Sequence, residues 1–244
     1  MVALALMLGA TVLGCGAGSD GDEAVGDAGD TGGAATSSAA DVATGDGASA
    51  EERIEQVNET MRDTPFSGLG TTTAYDGLQR IVWNPAQGLH ISSMATGPDV
   101  DGGDMYCKDG VTYTSSSLLA AGLESRGVQI SVPDRLDDVY VTSETGQGCE
   151  AYFAISPTGT FAPDKDATLD GVRAQAVVAS SGSTSDTYFV SAEDPARLLK
   201  LKSVRDGRTS STTYFDFGME KDVTPPSPDK TMSMEEFRTE VDAD

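Results

Sequence analysis

The sequence predicts an α+β domain in which an opening helix is followed by a curved antiparallel meander, and three observations predict it. A segment with helical apolar spacing and a capping signature stands at 49–62. Apolar and polar residues then alternate with period two through the last third of the chain. Asp- and Gly-containing turns separate the alternating runs.

The helix comes first. Ser49-Ala50-Glu51-Glu52 sets a hydroxyl at the N-cap and a carboxylate three residues on, so each satisfies the other's backbone N–H. Ile54, Val57 and Met61 follow on one face, and Asp63-Thr64-Pro65 stops a helix predicted over 51–62. Candidate strands lie at 70–75, 79–83, 88–94, 104–107 and 111–114. The last two are joined by Lys108-Asp109-Gly110, whose Asp-Gly pair suits a hairpin turn. Residues 116–125 (SSLLAAGLES) read as a short helix, after which strands are expected at 128–132, 140–142 and 150–156.

The C-terminal third carries the clearest pattern. Val172, Ala174, Ala176 and Val178 alternate with Arg173 and Gln175, which predicts a strand with one face on a core and the other in water. Residues 186–191 (DTYFVS) follow as a second strand and 197–204 (RLLKLKSV) as a third, with Leu199 and Leu201 opposing Lys200 and Lys202. Arg205-Asp206-Gly207-Arg208 turns the chain into a fourth strand, 210–217, with Thr213, Phe215 and Phe217 on one face. Four antiparallel strands patterned on one side describe a curved meander.

These residues carry a family resemblance. Leu169-Asp170-Gly171-Val172-Arg173, Asp186-Thr187-Tyr188-Phe189-Val190, the Leu-rich strand and Thr212-Thr213-Tyr214-Phe215-Asp216-Phe217-Gly218 are together similar to the ending of LolA-like lipoproteins, including the LppX/LprG type of actinobacteria. A Pro-containing segment follows there, here Val223-Thr224-Pro225-Pro226. The likeness covers roughly 51–228, without an alignment for 115–148. The Cys107/Cys149 pair departs from its simplest form, as does a C-terminal segment, 229–244, with a short helix over 232–241 opened by Ser233-x-x-Glu236. The resemblance implies a curved antiparallel half-open β-barrel wrapped around one or more helices. Its concave face would receive the acyl chains of a lipid, lipoprotein or glycolipid. Carried onto this chain, the groove candidates are Phe189, Leu199, Leu201, Phe215 and Phe217, which alternation places on common faces. A closed core without a ligand is the alternative, since aromatic content is only 6 % and nothing visible demands a large apolar cavity.

The first fifty residues are of another kind. Residues 1–13 (MVALALMLGATVL) form an uncharged apolar run of signal-peptide length, short of the ~20 residues that span a bilayer. Val12-Leu13-Gly14-Cys15 resembles a lipobox, which implies a signal peptide at 1–14 and lipid on Cys15; an ordinary secretory signal with a chance cysteine is the alternative. No Lys or Arg precedes the run, as a start codon placed too far downstream would explain. Residues 16–50, made of small and acidic residues with no aromatic or basic side chain, cannot offset the entropy of ordering and are expected to form a flexible tether. Its reach is ~30–35 Å. The expected location is the extracytoplasmic face of a bacterial cell membrane, held there by the lipid.

Charge and chemistry narrow the role. With 39 acidic against 16 basic residues the net charge is −23, which disfavours nucleic acid and bare anionic lipid surfaces as partners. The chain has three cysteines, so lipidation of Cys15 leaves Cys107 and Cys149 as a disulfide pair or as two free thiols. The one histidine, His90, accompanies no Gly-x-Ser-x-Gly elbow. Asp99, Asp101 and Asp104 lack the Gly and Glu positions of an EF-hand loop and read as a polar turn. No catalytic, metal or cofactor set is assigned. A carrier of an apolar ligand is expected, with a surface adaptor that regulates a sensor or an envelope machine through protein contact as the alternative, and a hydrolase built on paired carboxylates behind both.

Overall fold

The capping signature at Ser49 is realised in α1 (Ala50–Asp63). Ser49 Oγ accepts from the Glu52 N–H at 3.2 Å and Glu52 Oε2 accepts from the Ser49 N–H at 2.9 Å. This computed structural model describes residues 48–73, 77–95, 102–125 and 127–241. Cys15, most of the tether, Asp99 and Asp101 lie outside those residues.

Among the described residues, thirteen strands and two further α-helices follow. The strands are β1 (Phe66–Thr71), β2 (Gly77–Asn84), β3 (Gly88–Ala95), β4 (Gly103–Lys108), β5 (Val111–Ser115), β6 (Tyr140–Glu144), β7 (Thr160–Phe161), β8 (Ala167–Leu169), β9 (Val172–Ser181), β10 (Thr184–Ser191), β11 (Leu198–Arg205), β12 (Arg208–Phe215) and β13 (Thr231–Ser233). Helix α2 (Ser116–Glu124) lies between β5 and β6, and α3 (Met234–Glu240) follows β13. All strands join one sheet in the order β13-β6-β5-β4-β3-β2-β1-β12-β11-β10-β9-β7, with β8 also on β9. Only β13 runs parallel to its neighbour. The two end strands do not pair with each other, so the sheet is open. The turn at Asp109-Gly110 holds both residues at positive φ, 51° and 78°, as a twisted two-residue hairpin requires.

One face of the sheet, here the inner face, packs on α1. Ile54, Val57 and Met61 are at most 3 % exposed and share a core with Phe66, Ile81, Trp83, Leu89, Val177, Tyr188, Val190, Leu198 and Tyr214. Each of the three helical side chains contributes ~1.5–3 kcal/mol by leaving water. Trp83 Nε1 donates to the Arg62 carbonyl at 2.9 Å and so satisfies an acceptor at the end of α1.

Several expectations shift. The first strand begins at Phe66, not at residue 70, because Phe66 and Ser67 are buried directly after the helix while Thr71 is exposed. Residues 128–132 form no strand; Ile130 and Val132 pack without a ladder on a satellite cluster of Leu136, Val141 and Phe237. Residues 150–156 form no strand either. A 3-10 turn at Cys149–Tyr152 leads into Phe153 and Ile155, both buried in the main core. Asn58 of α1 takes the place of a neighbouring strand, donating to the Ile155 carbonyl at 2.9 Å and accepting from its N–H at 2.8 Å. The C-terminal segment adds β13 to the sheet, and α3 repeats the capping box with Ser233 and Glu236. No helix among the described residues is long and apolar enough to cross a membrane.

Candidate functional site

Strand register assigns side chains to the two faces. Directly paired residues share a face. Ala176, Phe189, Lys200, Thr213, Leu69 and Arg80 therefore form one row across β9, β10, β11, β12, β1 and β2. This row is on the outer face, opposite α1. The adjacent row, Val177, Tyr188, Leu201 and Thr212, lies on the inner face.

The five groove candidates do not share a face, and two backbone irregularities explain why. The register shifts between Phe189 and Val190, pairing Val190 with Leu198 and leaving Leu199 as the extra residue of a bulge. Leu201 therefore packs on the main core, whereas Leu199 joins Phe189, Ala174 and Ala176 in a second apolar cluster. Asp216 then adopts φ 55°, which interrupts alternation after β12. Phe215 stays outside, 39 % exposed, while Phe217 turns to the main core and lies 6.2 Å from the Phe66 ring. Strand β9 is likewise buried on both faces, with Ala174 and Ala176 on the outer cluster and Val177 and Ala179 on the main core. The unbroken run Ala176-Val177-Val178-Ala179 is the signal of two-sided burial that strict alternation hides.

The inner face is filled. Phe153 packs edge-on against Phe66 at 5.0 Å and lies 5.0 Å from Trp83, and the Cys107–Cys149 disulfide (S–S 2.06 Å) ties this segment to β4. A hollow of about 800 Å³ opens on the other side. It is bounded by Leu169 and Val172 at the β8–β9 turn, by Arg197 and Leu199, and by Thr213, Phe215 and Phe217. Three of the five groove candidates thus meet at one place, while Phe189 and Leu201 do not border it. Leu169, Val172 and Arg197 were not singled out from the sequence as groove residues; the apolar positions flanking Asp170-Gly171 are the signal for the first two.

The loop from β10 to β11 forms part of this wall and is held from the helix. Arg53 of α1, 3 % exposed, donates to the Ser191 carbonyl at 2.7 Å and reaches Asp194 at 3.4 Å. Four carboxylates border the hollow: Asp170, Glu193, Asp194 and Asp216. Asp194 pairs with Arg53 and Asp216 with Lys221. Arg197 lies over the Phe217 ring, 5.0 Å from its centroid.

The remaining candidates sit elsewhere. His90 Nε2 is 2.7 Å from Asp104 Oδ1, and its ring stacks on Tyr106 with centroids 4.3 Å apart. Burial, then the Asp104 charge, pushes the Tyr106 phenol up to about 12. This polar cluster lies across β3 and β4, away from the hollow. Among the described residues no group of three or more His, Cys, Asp or Glu side chains stands close enough to hold a metal ion.

Solved structures resemble this chain. An uncharacterized conserved protein from Thermus thermophilus is 13 % identical, with a TM-score of 0.47 over 75 % of this chain and 98 % of that one. LprF from Mycobacterium bovis is 11 % identical, with a TM-score of 0.39 over 73 % and 96 %. The lipoprotein LppX of Mycobacterium tuberculosis is 10 % identical, with a TM-score of 0.42 over 71 % and 97 %. No family model and no curated protein matches. With TM-scores below 0.5 these likenesses decide neither ligand nor activity.

Proposed function

We propose that this chain is an extracytoplasmic lipoprotein, anchored through lipid on Cys15 and held off the membrane by its acidic tether, whose β-rich domain binds an acyl-bearing ligand without chemical turnover. One observation carries the reading. Leu199, Phe215 and Phe217, drawn together by a bulge and a left-handed aspartate, line a single hollow with Leu169 and Val172. Its volume of about 800 Å³ falls within the ~300–1,000 Å³ typical of small-molecule sites. The ligand place is thus the outer face, not the concave face implied by the family resemblance, since α1 and Phe153 occupy the inner one. Curvature of the sheet around α1 belongs to the same reading. The core that α1 shares draws on eight consecutive strands, which would spread about 34 Å if flat, against about 21 Å for the helix length.

Displacement of a fluorescent fatty acid tests the site. Phe215→Asp should weaken binding tenfold or more, and Leu201→Ala, on the inner face, should lower stability yet leave affinity within about twofold. The opposite ranking would return the ligand to the inner face. Cell fractionation tests the anchor: Cys15→Ser should leave the membrane fraction or stay unprocessed, and a correctly cleaved variant that remains membrane-bound would contradict the lipid anchor.

A second reading, protein contact by a surface adaptor, is favoured by a different observation. Leu69, Leu78 and Met94, 46 %, 41 % and 52 % exposed, lie on the outer face of β1, β2 and β3, and Leu78 pairs directly with Met94. Exposed apolar residues clustered in this way mark contact surfaces. Under this reading, Leu78→Asp abolishes a crosslink to an envelope protein while fatty-acid binding is unchanged.

A further inference from the structure

We infer that the ligand of the outer hollow carries an oxyanion head, a carboxylate or a phosphate ester, and that Arg197 receives it; this rests on the acyl-ligand reading above. Arg197 borders the hollow and is half-buried, and among the described residues its side chain makes no hydrogen bond and no ion pair. Among the described residues its one ring contact is with Phe217, and its Nε, like those of Arg53 and Arg238, is shielded from solvent without an acceptor. Arg53, by contrast, spends its terminal nitrogens on Ser191 and Asp194, and Arg238 does not border the hollow. A shielded guanidinium donor left unpaired is unfavourable, and the fork geometry of arginine matches a carboxylate or phosphate two bonds at a time.

The surroundings fit an anion joined to a chain. Lys200 adds a second cation on the same wall. Of the four bordering carboxylates, Asp194 and Asp216 already face cations, Arg53 and Lys221, which leaves Asp170 and Glu193 without one to oppose an incoming anion. Leu169, Val172, Leu199 and Phe215 border the same space, so a head at Arg197 places an acyl tail against apolar wall.

Calorimetric titration of the full chain carrying Cys15→Ser tests this with three probes: palmitate, hexadecanol as the same chain without the charge, and inorganic phosphate as a head without the chain. Palmitate should bind about tenfold or more tightly than hexadecanol. Arg197→Gln should bring the two within about twofold, Arg197→Lys should keep part of the preference, and Glu193→Gln should tighten palmitate. An unchanged preference in Arg197→Gln, or in Arg197→Lys and Glu193→Gln together should Arg197→Gln not fold, removes Arg197 as the head ligand and leaves the acyl reading standing. If neither palmitate nor hexadecanol binds, the acyl reading itself fails. Competition by phosphate equal to that by palmitate would make the hollow a free oxyanion site and overturn the inference.

Discussion

Asp186 organises one end of the inner face by itself. Its carboxylate accepts from Ser203 Oγ at 2.6 Å, from Arg205 at 2.7 Å and from the Tyr188 hydroxyl at 3.3 Å. Burial, then the Asp186 charge, pushes the Tyr188 phenol up to about 12. An unfolded tyrosine titrates near ~10. The raised value therefore contributes stability that is fully present below pH ~10 and is lost as pH rises through about 12. Asp186→Ala should cost about 1–3 kcal/mol in urea denaturation, discounted because Arg205 is one-third exposed, and should lower the Tyr188 titration followed by absorbance. An unchanged Tyr188 midpoint would show that burial alone sets it. Single residues also mark the limit of sequence reading. Leu199 and Leu201 are two apart and look equivalent, but the bulge at Phe189/Val190 sends them to opposite faces. A bulge is chosen by packing on both neighbouring strands, so alternation along one strand carries no trace of it.

At the scale of elements, both capping boxes were legible because their signal is local, four residues long and fixed by backbone donors. Backbone N–H groups, followed by the serine hydroxyls, hold Glu52 and Glu236 below the ordinary glutamate range. Lowered carboxyl values give stability that is present above the unfolded range and lost as pH falls through the folded one. Amide protection factors in α3 should thus fall on acidification, and Glu236→Gln should remove most of that dependence. Ser49→Ala should cost ~1 kcal/mol, and Met61→Ala, which empties a fully packed site, about 2–4 kcal/mol. The segment 150–156 was illegible for the opposite reason. Its β-like sequence is held by Asn58, 97 residues from Ile155, and no local pattern reports a partner so distant.

For the whole molecule, composition and periodicity conveyed an opening helix and an antiparallel sheet, while the side of that sheet with the hollow depended on what fills the other side. That filling is pinned by the Cys107–Cys149 bond, with a sequence separation of 42. Reduction should cost about 4 kcal/mol by loop entropy, a fall in Tm of roughly 8–16 °C for a domain of this size. Calorimetry with and without dithiothreitol measures it, and equal Tm values would mean that the segment is held by Asn58 and packing alone. Native mass spectrometry of the full chain carrying Cys15→Ser, isolated from a bacterial host, asks whether the outer hollow holds an acyl-bearing ligand. An adduct of acyl-lipid mass is expected on this protein and should disappear with Phe215→Asp. Adduct-free spectra of both, or equal adducts on both, would rule out an acyl-bearing ligand in that hollow.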